Sequence, residues 1–196
     1  MVLFINACVR AASRTRLLAE HLLVGLEGEV RELRLEETKL PTPDERFLQM
    51  RDTLSARREF AHPIFALARE FVQADTVVIA APFWDLSFPA TLKRYFELVN
   101  VPGLAFVYTE QGWPRGLCSA KRLYYVTTSG GLIQNEEYGF GYIRALAEGF
   151  YQIPEIRCIR AEGLDLPGAD IPAILRGAEE EIDRMLAEGK RENPDG

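Results

Sequence analysis

Short apolar runs and longer helix-periodic segments alternate along the whole of this chain, and few folds tolerate that order. VLFIN (2–6) and ADTVVIAAP (74–82) are apolar almost throughout, as strands covered on both faces are. KRLYYVTTS (121–129) and EIRCIRAEGL (155–164) have the same character, while EVRELRL (29–35) alternates apolar and charged like an edge strand. Between them lie helical patterns. Leu17, Leu18, His21, Leu22 and Leu23 mark one from Thr15 to Gly25, and Phe60, Ile64, Phe65, Ala68 and Phe71 predict another over 58–73. A third follows Pro89, a residue tolerated at a helix start. Two more cover 138–151 and 169–189, and KRENPDG ends the chain as a polar tail.

Strands joined through helices imply a parallel sheet with right-handed crossovers. Five such strands with helices on both faces give an α/β fold of flavodoxin-like order 2-1-3-4-5. A six-stranded dinucleotide fold is disfavoured, because no G-x-G-x-x-G follows the first strand. The 196 residues suit a single domain, 1–196, with an excursion at about 101–118. A net charge of −6 argues against nucleic acid as a partner. No apolar run reaches bilayer length and no signal-peptide pattern opens the chain, so a cytoplasmic protein with no membrane partner is expected. Three scattered cysteines, Cys8, Cys118 and Cys158, predict neither a disulfide framework nor a metal site.

In such sheets ligands bind at the carboxyl ends of the strands. That selects three loops. The first carries Ser13, Arg14, Thr15 and Arg16 at a helix start, where unpaired N–H groups favour an anion. Alone it is weak evidence, since serine there is usually only a cap. The second, APFWDLSF, sets Phe83, Trp84 and Leu86 at a strand end, where aromatics flank a planar ring as readily as they fill a core. The third, TTSGG (127–131), offers Gly130 and Gly131 for close backbone approach, or merely for a turn. Three weak signals at neighbouring sites add up to a phosphate anchor beside a slot for a flat ring, the shape of an FMN site.

With these residues in view, the chain resembles the FMN-dependent NAD(P)H oxidoreductases of the azoreductase and quinone reductase group. The likeness covers nearly the full length. It rests on S-R-T-R-L-L, on APFWDLSFPATLKRYFELVNVPGLAFVYTEQGWPRGL, on YYVTTSGG and on IRAEGL. The resemblance implies noncovalent FMN, with NAD(P)H as co-substrate and a small planar acceptor. It implies that Ser13, Arg14 and Thr15 hold the phosphate. Phe83, Trp84, Asp85 and Leu86 would line the isoalloxazine, and Thr128, Ser129, Gly130 and Gly131 would meet its other edge. It also implies a homodimer with the flavin at the subunit interface, no metal, and no side chain acting as catalyst, because the flavin carries the chemistry. Ala7 and Asp85 depart from the family pattern, which often has a hydroxyl and usually an asparagine there. An electron carrier without its own substrate is the alternative reading. His21, on an apolar face, is expected in the core, and Phe106, Tyr108 and Trp113 are expected to seek a partner surface.

Overall fold

A computed structural model describes residues 1–192, and the side chains of residues 1–189. Five strands form one parallel sheet. They are β1 (Val2–Asn6), β2 (Val30–Arg34), β3 (Thr76–Ala80), β6 (Arg122–Thr128) and β7 (Glu155–Ala161). Their order is β2-β1-β3-β6-β7, the flavodoxin-like order. Val2 pairs with Val30 on one side and Thr76 on the other, Thr76 with Arg122, and Arg122 with Glu155. The period-two alternation then sends successive side chains to opposite faces.

On one face Val2, Phe4, Val78, Ala80, Tyr124 and Val126 meet Leu18, Ala19 and Leu22 of α1 (Arg14–Gly25) and Ile182 of α6 (Ile171–Glu192). On the other, Leu3, Ile5, Val77, Ile79, Leu123 and Tyr125 meet Phe71 of α3 (Ala66–Gln73) and Leu92, Tyr95 and Phe96 of α4 (Ala90–Val99). Each buried Val, Leu, Ile or Phe among them contributes about 1.5–3 kcal/mol by leaving water. The α2 helix (Glu45–Ala56) is capped by the Asp44 carboxylate, which accepts from Phe47 N at 2.8 Å. Among the described residues no helix is long and apolar enough to cross a membrane.

Three elements differ from expectation. The helix expected over 58–73 starts later, as one 3-10 turn at Pro63–Phe65 leading into α3. Pro63 disfavours helical geometry at His62, whose Nδ1 instead accepts from Ile64 N at 3.2 Å. The segment expected as one helix over 138–151 is a short α5 (Tyr142–Leu146) between two π-helical turns, Glu137–Gly141 and Ala147–Tyr151. The excursion is an antiparallel hairpin of β4 (Phe106–Tyr108) and β5 (Pro114–Gly116). Its base is fixed where Phe106 stacks on Phe150, with centroids 4.5 Å apart, and where Gly116 lies against the Tyr151 carbonyl. Phe106 is therefore core, 3% exposed, rather than a surface group. The closing helix, expected over 169–189, runs on into the polar tail as helical backbone through Glu192, and 193–196 lie outside the described residues.

Candidate functional site

The ladder continues past the carboxyl ends of the strands and draws the three loops together. Ala7 N donates to Ala80 O at 2.8 Å, Ala81 N to Val126 O at 3.0 Å, and Phe83 N to Thr128 O at 2.9 Å. Thr15 Oγ1 and Thr128 Oγ1 lie 2.6 Å apart, joining the first loop to the third. The result is a cleft of about 570 Å³, lined by Ser13, Arg14, Thr15, Phe83, Trp84, Asp85, Thr128, Ser129 and Gly130, together with Val9, Arg10, Ala12, Pro82 and Asp165. That volume lies within the ordinary range for small-molecule sites. Of the residues expected from sequence, Leu86 and Gly131 do not line it. A larger groove of about 1000 Å³ is lined by Ser87, Phe88, Tyr138 and Tyr142, among others. It holds none of the expected residues, so the polar cleft is the better candidate.

In the first loop, Ser13 is the N-cap of α1, its Oγ accepting from Arg16 N at 3.2 Å. The cap reading is thus met, and the hydroxyl, an acceptor in the cap, can still donate. The amides of Arg14 and Thr15 have no partner within the helix and stand at its positive end. Thr15 is only 1% exposed and already faces Thr128, so it joins two loops more than it offers a free hydroxyl. Arg14 Nη1 donates to Leu164 O at 3.1 Å and Nη2 to Asp165 Oδ1 at 2.8 Å. Burial, offset in part by Ser13 and Arg16, pushes the Cys8 thiol up to about 11, as befits a filler.

In the second loop, Trp84 and Ser87 pair as a two-residue hairpin, Trp84 N donating to Ser87 O at 3.0 Å and Ser87 N to Trp84 O at 2.8 Å. Asp85 and Leu86 both have positive φ, 50° and 66°, as a type I′ turn requires. Asparagine suits that conformation better than aspartate or leucine does. Asp85 lines the cleft and makes no ion pair among the described residues.

In the third loop, the glycines are not there for a left-handed turn. Neither Gly130 nor Gly131 has positive φ. A Cβ on Gly130 would stand 2.4 Å from Asp165 Oδ2, whereas Gly131 faces open space. Leu164 N donates to Ser129 O, Asp165 N to Gly130 O and Gly163 N to Gly131 O, so a fourth loop, after β7, is bound to the third. Neither glycine N–H has a partner among the described residues. Asp165 was not foreseen, although the carboxyl-end rule, applied to this fourth loop, points to it. His21 is not core either. Its Nε2 lies 2.8 Å from Asp183 Oδ1 at the partly exposed contact of α1 with α6.

The flavodoxin-like fold family model matches residues 1–186. An FMN-dependent NADH:quinone oxidoreductase 2 of Clostridium acetobutylicum is 39% identical over 132 residues, 65% of this chain and 65% of that protein. An FMN-dependent NADH:quinone oxidoreductase of Clostridium beijerinckii is 41% identical over 131 residues, 66% of this chain and 64% of that protein. The matched stretch thus spans slightly less than two thirds of either relative. Among solved structures, an FMN-dependent NADH-azoreductase from Bacillus anthracis in complex with FMN superposes with a TM-score of 0.80 at 21% identity, covering 95% of this chain and 97% of that one. An azoreductase from the same species gives 0.81 at 22% identity, covering 95% and 98%. At such identities the likeness is one of fold.

Proposed function

The chain belongs to the flavodoxin-like fold family, and on that premise we propose that it is an FMN-dependent oxidoreductase passing hydride from NAD(P)H to quinones, azo compounds or similar flat acceptors. The observation that carries the reading is the meeting of an anion-favouring helix start, an exposed tryptophan and the unpartnered Gly130 amide in one cleft of about 570 Å³. The names of the relatives, FMN-dependent NADH:quinone oxidoreductases, point the same way.

The donor set fits a phosphorylated flavin. The amides of Arg14 and Thr15, the Ser13 hydroxyl and the Arg10 guanidinium would hold the phosphate, with Arg14 beside them. Phe83, Trp84 and Asp85 would border the ring on one side and Thr128, Ser129 and Gly130 on the other. The unpartnered Gly130 amide would stabilise negative charge at the ring's edge, as preorganised dipoles do. The chemistry a bound FMN supplies is two-electron hydride transfer, which makes donor and acceptor take turns in one site. No side chain of the cleft need act as nucleophile or base.

The functional unit in this reading is a symmetric homodimer formed from one flavodoxin-like domain with its hairpin. Support comes from the hairpin tip, where Trp113 is 73% and Tyr108 59% exposed. Three free thiols favour a reducing compartment, the cytoplasm. Reconstitution tests the cofactor. Purified protein should take up FMN in equal proportion and release it unchanged on heating, and uptake of FAD alone would overturn the assignment.

A further inference from the structure

Four formal charges line the cleft, and they cancel: Arg10 and Arg14 against Asp85 and Asp165. A site for a phosphate dianion has no evident use for two carboxylates. Asp165, moreover, is placed by the fold. Its N–H donates to Gly130 O at 2.9 Å, and its carboxylate rests where a Cβ on Gly130 would stand 2.4 Å away. From there Oδ1 accepts from Arg14 Nη2 at 2.8 Å, while Arg14 Nη1 donates to Leu164 O at 3.1 Å. Both guanidinium ends are thereby occupied by the loop after β7. The Arg14 and Asp165 side chains are 31% and 67% exposed, so the pair is cheap to open.

We propose that Asp165 is an internal competitor for Arg14, which exchanges this carboxylate for the phosphate of the incoming flavin, so that Asp165 sets how strongly the cleft prefers FMN to riboflavin. The inference rests on the flavin reading above. A phosphate dianion carries more charge than a carboxylate and forms stronger bonds with a guanidinium, so exchange is favourable. The displaced carboxylate stays beside the phosphate, though, and like charges oppose each other there. The carboxylate therefore lowers affinity for the phosphorylated ligand and leaves a neutral ribityl chain indifferent.

Asp165→Asn isolates the charge, since the side chain keeps its size over Gly130 and the backbone bonds are untouched. Titration of the flavin-free protein with FMN and with riboflavin, by quenching of flavin fluorescence, gives the two affinities. The expected result is about two- to fivefold tighter FMN binding in the variant, about the value of one exposed ion pair, with riboflavin unchanged. In an Arg14→Ala background the same substitution should change FMN binding much less, because the competed group is gone. Weaker FMN binding in Asp165→Asn would overturn the inference, and would make the carboxylate a support that aims Arg14 at the phosphate. Equal changes for both flavins, or none, would overturn it as well. Wild-type protein that binds neither flavin would instead remove the cofactor reading itself, before any variant is compared. Thermal melting of each variant controls for folding.

Discussion

Asp85 matters for its backbone and for its charge, and the two separate by measurement. Its φ of 50° and the 66° of Leu86 belong to a type I′ turn, in which asparagine is at ease. Asp85 also lines the cleft, and in the proposed reading an ionised carboxylate there would disfavour negative charge on a reduced flavin. Asp85→Asn should therefore hold or slightly raise the melting temperature, and raise the two-electron potential of FMN-loaded protein. An exposed charge worth about 1 kcal/mol corresponds to about 20 mV. Spectroelectrochemical titration at fixed pH and salt reads this, and an unchanged potential would leave only the turn. Ser13 divides in the same way. Ser13→Ala removes a cap that accepts from Arg16 N, costing about 1 kcal/mol in melting. If its hydroxyl also donates to the phosphate, FMN affinity falls about tenfold while riboflavin affinity does not. The thiols carry a pH prediction. Burial pushes Cys8 to about 11 and Cys118 and Cys158 to about 12. A raised thiol pKa leaves it protonated, so at pH 8 about one Cys8 in a thousand is thiolate. Iodoacetamide should alkylate the native protein at pH 8 far more slowly than the denatured chain, and equal rates would contradict the burial. At this scale the sequence told where Ser13, Arg14 and Thr15 lie but not what they already hold. The partners Thr128 and Asp165 are more than a hundred residues away, and no local pattern links them.

Among the elements, the strands were the most legible. A strand covered on both faces must be apolar throughout, and VLFIN appears in the fold with its expected ends. Helices with a single strong stripe were nearly as clear. What escaped was set by tertiary contact. The glycines of 138–151 let the helix widen into π turns around α5, which periodicity alone does not register. The hairpin was seen only as an excursion, because three-residue strands leave too short an alternation to read. Its attachment gives a sharp prediction. A Cβ on Gly116 would stand 2.1 Å from the Tyr151 carbonyl oxygen, and backbone cannot swing aside as a side chain can. Gly116→Ala should cost about 1–3 kcal/mol in chemical denaturation. Gly149→Ala, where nothing lies within 4 Å, serves as the control and should be neutral or stabilising. Comparable losses in both would mean that the hairpin is not seated on Tyr151.

Over the whole molecule, the exposed aromatics Trp84, Tyr108, Trp113 and Tyr138 lie on the loops, the hairpin and the segment before α5 rather than on the outer helices. In a dimer they have something to meet. Trp113→Glu should convert a dimer to a monomer in light scattering at micromolar concentration, with the fold intact by circular dichroism and FMN binding weakened. A wild-type monomer would remove the homodimer. The central claim, that the chain is a two-electron reductase and not a carrier, is tested most directly by anaerobic stopped-flow mixing of FMN-loaded protein with NADH and with NADPH, followed by a quinone. Loss of the flavin's visible absorbance in a single two-electron step with at least one nucleotide, and its full return on adding quinone, is the predicted result. Protein that dithionite bleaches but neither nucleotide does would contradict it.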